Sequence, residues 1–443
     1  MRIAIVALWA LPLSAQGPLS LKDAARLALE KHPSVEAAGA EVKAAETRVE
    51  QARSGYLPKL NYTESWQRSD NPVFVFSSLL TQHQFSERNF AIGPLNRPDA
   101  MNKFQSQLVV DQPLWDAGMT KKQVRAAGLG QQLAGEEERR TRMAVIASVV
   151  RAYNGIILSQ ESLRVAQEAV RSAEADLERA ENVRAAGMAT DADVLAIRVH
   201  LAAMREQEIR RGYDVRIAQA ALNEALGLPL DTPHDLTTAL VPLPAVETPL
   251  AKDEESARES RPEARQARLG FSLAQNQTEL ARSSLLPQIS FRLAFEADRQ
   301  RFIDRGGANW LAAASLRWNL FNGFADKARI AEANQQAIRA RAEERQVNAA
   351  VSLDVRRAHL DLQAAGERIQ VAEAAVSAAE ENLRIVKNRY ESGLSNVTDL
   401  LRSETALSDT RVRRLAAVHD QRLAAAALEL AAGTLSADSS VLN

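Results

Sequence analysis

The chain has 443 residues, enough for two or three ordinary domains, and its formal net charge of −1 points to no polyanionic partner through bulk charge. It has no cysteine, which excludes a zinc ribbon, a thiol nucleophile and a disulfide framework, and which suits an oxidising compartment. Aromatics are only 5%, while Ala, Glu, Arg and Gln are abundant, a mix that favours long helices.

Residues 1–15, MRIAIVALWALPLSA, read as a secretory signal peptide. Arg2 supplies the positive start, Ile3 to Leu11 form an apolar run too short to span a bilayer, and Leu13-Ser14-Ala15 is an acceptable cleavage site. No cysteine follows to carry a lipid. Beyond it no uninterrupted apolar run reaches the roughly 18 residues of a spanning helix, so none is predicted.

The remainder reads as two copies of one unit. Gly187, Leu114-Trp115-Asp116, Ala152-Tyr153 and Leu226-Gly227 reappear 206 residues later as Gly393, Leu320-Phe321-Asn322, Ala358-His359 and Ala432-Gly433. Upstream, Leu57-Pro58 and Leu286-Pro287 are 229 apart, so the first copy carries 23 extra residues between Pro58 and Leu114. In chain order each copy predicts a helical run (within 16–56 and 253–285), two alternating strands with a loop between them (57–112 and 286–319), and a long helical hairpin (113–226 and 320–432). A segment at 227–252 with five prolines cannot be helical throughout and joins the copies, and residues 433–443 form a tail.

The hairpins carry a heptad stripe. Leu163, Ala166, Val170, Ala173, Leu177 and Ala180 are spaced alternately by three and four, and Ile369, Ala372, Val376, Ala379, Leu383, Val386 and Tyr390 repeat the spacing in the second copy. A helix from about 118 to 186 would be on the order of 100 Å long. Gly187 and Gly393 fall where a left-handed cap would end each such helix.

The strands alternate with period two. Ile289, Phe291, Leu293 and Phe295 face one way, as do Trp310, Ala312, Ala314, Leu316 and Trp318 on the next strand. The first copy is weaker, with Leu60, Tyr62 and Trp66, then Phe104, Leu108 and Val110. Segments of about 9–11 residues with aromatics near their ends suit a membrane barrel, with Trp66, Phe291, Phe295, Trp310 and Trp318 as interface aromatics. They equally suit a small amphipathic sheet packed on helices. Four strands cannot close a barrel, since an open edge in lipid leaves backbone groups unpaired at several kcal/mol each. If these strands span a membrane, several chains share one barrel.

The segments LKDAARLALEKHPSVEAA, ARSGYLPKL, VVDQPLWDAG with its partner LRWNLFNGF, and RYESGLSNVTDLL occur in this order over about 17–435. In that order the chain resembles the TolC-type outer-membrane efflux proteins. The resemblance implies a mainly α protein with a membrane β-barrel portion: a homotrimer whose twelve strands form a barrel in outer-membrane lipid and whose twelve helices form a periplasmic tunnel. It implies a passive, tip-gated exit duct that docks a periplasmic adaptor and an inner-membrane pump, with no catalysis and no cofactor. It assigns Tyr390 to a latch with Asp193, Asp399 to a pore-lining ring, and Gly187, Met188, Gly393 and Leu394 to adaptor-docking tips. Two positions depart from the pattern of some members: Ser395 stands where they carry Arg, and Arg402 where they carry a second Asp. The ring is then a weaker cation trap, or Arg402 pairs with Asp399.

Each assignment has a plainer reading. Asp193 and Asp399 suit helix N-termini, where the macrodipole favours acids, and Tyr390 sits on the heptad seam as core would. The six histidines are scattered with no metal spacing, so no metal site is predicted, and no basic stripe with interleaved aromatics suggests nucleic acid. The competing overall reading is a secreted coiled-coil scaffold without a pore.

Overall fold

The computed structural model describes residues 18–244, 249–304 and 306–443. The expected signal peptide at 1–15 lies outside them. In chain order the first copy comprises α1 (Leu21–Lys31), α2 (Pro33–Arg53), β1 (Lys59–Ser69), α3 (Pro72–Thr81), α4 (Ile92–Asn96), β2 (Met101–Trp115), α5 (Met119–Ala185) and α6 (Asp191–Leu226). The second comprises α7 (Leu250–Ser260), α8 (Pro262–Ser283), β3 (Gln288–Arg299), β4 (Gly307–Arg317), α9 (Ala325–Glu391) and α10 (Val397–Ala432). The copies match in length as well as order: α5 and α9 have 67 residues each, and α6 and α10 have 36 each.

The single helical run expected at the start of each copy is two helices. His32 and Arg261 take extended backbone (ψ 125° and 130°) just before Pro33 and Pro262. A residue preceding proline is pushed out of the α region, and proline has no N–H to continue the ladder, so each run breaks there and restarts with proline in the first turn. A stretch of α5 does reach the length and apolarity of a spanning helix once up to two charged residues are allowed, which corrects the expectation of none. Half of it is buried within the protein, as in a core helix.

The chain divides into two compact units. One comprises Val42–Ala134 and Arg268–Glu343 and holds the strands. They form one antiparallel sheet in the order β1-β2-β3-β4. Register partners share a face, and one row runs Tyr62, Leu108, Phe295, Trp310, with Leu60, Val110, Leu293 and Ala312 in the next row on that face. The opposite face carries Asn61, Thr63, Gln107, Glu296 and Asn309. The apolar face is interrupted in the first copy by Glu64, which accepts hydrogen bonds from Tyr62 and Ser106 and pairs with Arg299 at 3.1 Å.

The extra residues of the first copy form the β1–β2 connection and are not all loop. Asn71 caps α3 by accepting from the N–H groups of Val73 and Phe74, and Pro72 opens the helix. Its far end is tied to the strands through Gln82 to the carbonyl of Asn102 and Asn309 to that of Thr81.

The other unit comprises Met1–Glu41, Gly135–Ala267 and Glu344–Asn443. Its largest core cluster packs Leu21, Ala24, Ala25 and Ala28 of α1 against Ile146, Val149, Val150 and Tyr153 of α5, Leu222 and Leu226 of α6, and Leu435 and Leu442 of the tail. Residues 228–244 of the segment that joins the copies are non-helical and are tied to this unit. Leu19 and Leu236 form a parallel bridge, and Gln421 of α10 both donates to and accepts from the backbone of Leu243. Gly227 and Gly433 end α6 and α10 in the left-handed region (φ +71° and +75°). A Cβ there would lie 2.8 Å from the Lys31 oxygen and 2.7 Å from Arg261 Cα, so both positions require glycine twice over.

Candidate functional site: the hairpin tips

Both hairpins turn by the same local chemistry. Gly187 and Gly393 have φ +78° and +72°. The N–H of each bonds back to a carbonyl three residues earlier, Arg184 and Tyr390, and the next N–H, of Met188 or Leu394, reaches Val183 or Arg389. This satisfies carbonyls that the end of a helix would otherwise orphan. Met188 and Leu394 are left 75% and 70% exposed at the turns.

Each returning helix then starts on a side-chain cap. Thr190 Oγ1 accepts the N–H of Asp193 at 3.2 Å, and Asp193 Oδ2 accepts the N–H of Thr190 at 3.1 Å, which is a reciprocal capping box. In the second copy Asn396 Oδ1 accepts the N–H of Asp399 at 2.8 Å, and Asp399 Oδ2 accepts from Ser395 Oγ at 3.2 Å. Both aspartates therefore sit in the first turn of their helices, where the plainer reading put them, and Asp193 is tied up in the cap. Among the described residues no ion pair joins Arg402 to Asp399, which corrects that expectation. The Asp399 carboxylate is turned back toward Ser395, and Arg402 stands exposed one turn further along α10.

The tips of the two hairpins are packed together. Ala180, Val194 and Ile197 of the first and Val397 of the second form a buried cluster, with Tyr390 and Leu401 against it. Tyr390 is thus a half-buried packing residue between the hairpins. Burial and the neighbouring charges of Asp193 and Asp176, opposed by Arg179, push its hydroxyl above the usual phenol range. Among the described residues no hydrogen bond links Tyr390 to Asp193.

Behind this cluster lies a polar group that sequence reasoning did not single out: Asp176, His200, Lys387 and Glu404. The 206 register offered one signal, because it matches Asp176 with Asn382, Glu404 with Arg198, His200 with Ala406 and Lys387 with Glu181. The duplication breaks at every one of these positions.

The aromatic residues lie on the sheet as a set. Phe295 and Trp310 are register partners, the Trp66 ring lies 6.4 Å from that of Phe104, and Phe291 is half-buried opposite Ala314. Trp318 falls one residue beyond β4, at the opposite end of the sheet from Trp66, and its ring N–H donates to the carbonyl of Leu285 at 3.0 Å. Among the described residues no group of three or more His, Asp or Glu is arranged to hold a metal ion.

Comparison with known proteins adds to this geometry. Residues 24–228 and 255–434 match the profile of the family described as outer membrane efflux protein. Protein CyaE of Bordetella pertussis is 27% identical over 422 residues, which cover 94% of this chain and 84% of that protein. Outer membrane protein OprJ of Pseudomonas aeruginosa is 26% identical over 386 residues, covering 84% of this chain and 74% of its own length. Among solved structures, the CmeC outer membrane channel of Campylobacter jejuni superposes with a TM-score of 0.78 at 16% identity, covering 100% of this chain and 95% of that one. That likeness establishes a mostly helical fold shared with outer-membrane channels.

Proposed function

Because this chain belongs to the outer membrane efflux protein family, and is an outer-membrane protein, we propose that it is a passive exit duct assembled from three copies, working in an efflux or secretion system rather than as an enzyme. The observation that carries this reading is the four-stranded sheet with β1 and β4 as unpaired edges. Its apolar face leaves Leu60, Tyr62, Phe295, Trp310 and Leu316 exposed. In lipid each unpaired edge group costs several kcal/mol, and only closure removes edges. Pairing β4 of one copy with β1 of the next closes a twelve-stranded barrel from three copies, a size within the range of known barrels.

The helices support the same assembly. Leu195, Val199, Ala202, Ile209 and Tyr213 form an exposed apolar stripe along α6, and Leu360, Ala364, Val371, Ala374, Ala378 and Ile385 form another along α9. Both follow the three-four spacing of a coiled-coil seam, with glutamates at the intervening positions Glu206, Glu367 and Glu381. Packing α6 of one copy on α9 of the next would cover both and yield a twelve-helix tunnel. A pore-less coiled-coil scaffold would bury the helical stripes equally well but leaves the open sheet without a partner.

In this reading residues 57–112 and 286–319 are barrel strands and outer loops, 113–226 and 320–432 are periplasmic tunnel, and 16–56, 253–285, 227–252 and 433–443 form an equatorial layer. A periplasmic adaptor docks at Gly187, Met188, Gly393 and Leu394, and an inner-membrane pump supplies the energy. The contact of Tyr390 with the first hairpin latches the closed tip, and three copies of Asp399 line the exit. The test is the mass of the protein extracted from outer membranes in detergent. A particle of three chains, each close to 48.5 kDa, supports the duct. A soluble monomer or dimer sinks it.

A further inference from the structure

Three turns inward from the tip glycines, α5, α6, α9 and α10 meet on buried charge. Asp176 lies 11 residues before Gly187, and Glu404 lies 11 residues after Gly393. Asp176 is 3% exposed. Its Oδ1 faces Arg179 Nη1 at 3.1 Å on its own helix and Lys387 Nζ at 3.4 Å on α9, and Arg179 also pairs with Glu391 at 3.2 Å. Its Oδ2 is buried without a hydrogen-bond partner, as is Glu404 Oε2 on α10. Glu404 is held by Ser172, one turn before Asp176 on α5, near enough to act on Asp176 by hydrogen bond and charge. Glu404 Oε1 accepts from Ser172 Oγ at 3.0 Å, and its Oε2 lies 3.5 Å from His200 Nε2 on α6. Tyr390 of α9 also feels the Asp176 charge. Two turns further along α10, Arg411 joins Glu168 of α5 (3.3 Å) to Glu380 of α9 (2.9 Å). A cavity of about 90 Å³, lined by Ser172, His200, Met204, Glu404 and Arg411 among others, opens on the Glu404 side of the pair.

Two carboxyl groups sharing one buried face cannot both ionise without a large penalty, whereas one proton between them makes a hydrogen bond. Burial, followed by the hydrogen bond and charge of Glu404, pushes Asp176 up from its ordinary 3.8 to about 6. Burial also opposes the charge of Glu404, but hydrogen bonds from His200, Asp176 and Ser172 outweigh it and hold Glu404 below its usual range.

We propose that Asp176 and Glu404 form a proton-operated clamp between the two hairpins. With its proton, Asp176 donates to Glu404 and ties α5 to α10. Without it, two facing carboxylates press the hairpins apart at this level, against the restraint of Lys387, Arg179, His200, the Ser172–Glu404 hydrogen bond and the Arg411–Glu168 pair. The sign follows from linkage: the packed state binds the proton more tightly than an opened one, so acid favours the packed state. That advantage is lost as pH rises from about 4 to about 6 and is absent above it. The clamp concerns the packing of one chain's hairpins. Its use in opening a pore rests on the duct reading.

Hydrogen exchange of the full-length protein in detergent, corrected for intrinsic rates, tests it in segments 170–183 and 398–410. Opening should be about tenfold more frequent at pH 7.5 than at pH 5. Asp176→Asn should keep the acid-like protection at both pH values, and Glu404→Gln should move the step to lower pH. An unmodified protein with no pH step, or an Asp176→Asn variant with the same step, overturns the clamp. Conductance in a planar bilayer at both pH values separates the two ideas. A protein that never conducts refutes the duct, while the exchange result still decides the clamp.

Discussion

The hydroxyl of Tyr153 donates to the carbonyl of Leu19 at 2.8 Å and accepts the N–H of Thr238 at 3.1 Å. One fully buried side chain on α5 thus fastens both the stretch just before α1 and the segment that joins the two copies. Tyr153→Phe keeps the ring and leaves the Thr238 N–H unpaired, while the Leu19 carbonyl keeps the N–H of Thr237, so a loss of about 1–3 kcal/mol is expected. A lowered thermal midpoint for the detergent-extracted protein would check it. An unchanged midpoint would mean that water replaces the hydroxyl.

The four cap glycines should rank by their surroundings. Gly187→Ala and Gly393→Ala meet nothing within 4 Å and bear only the strain of positive φ, about 1 kcal/mol. Gly227→Ala and Gly433→Ala add a collision with backbone and should cost at least 1–3 kcal/mol more, by rough analogy with other strained or overpacked sites. Equal losses of denaturation midpoint in all four variants would contradict the ranking.

Removing the tip caps should loosen the returning helices locally. Thr190→Ala and Asn396→Ala each delete the acceptor for an orphan N–H, at about 1 kcal/mol. Faster amide exchange confined to the first turns of α6 and α10 is the expected signature. Loss of protection across the whole hairpin would show that the caps govern more than the ends.

If three Asp399 carboxylates line the exit, Asp399→Ala should reduce cation preference, read as a shift of reversal potential under a salt gradient. Arg402→Ala should raise it by removing an exposed positive charge. An unchanged reversal potential in both variants would remove these residues from the pore.

Much of the architecture was legible because the duplication repeats local chemistry. Gly227 and Gly433 end matched helices, and Phe291, Phe295, Trp310 and Trp318 mark the second strand pair clearly. The first pair was fainter because Glu64 interrupts its apolar face, a position made tolerable by Ser106 and by Arg299 from a distant strand. The breaks at Pro33 and Pro262 are legible from proline alone, because proline pushes the residue before it out of the helical region. At the tips, both aspartates sit in the first turns of their helices, which is the plainer of the two readings, and among the described residues no ion pair joins Arg402 to Asp399. The Asp176–Glu404 contact could not be seen from spacing. Its partners come from helices more than 200 residues apart, and each lacks a counterpart in the other copy.

The equal lengths of α5 and α9, and of α6 and α10, carry a consequence for how such a chain can change. Deleting one residue from α5 alone would draw its tip back by about 1.5 Å and rotate everything beyond the deletion by about 100°. Val194 and Val397 would then no longer meet in one cluster. A hairpin of this kind cannot be lengthened or shortened by itself, so its dimensions are heritable only in pairs, and a gap in one half predicts a gap of the same size in the other.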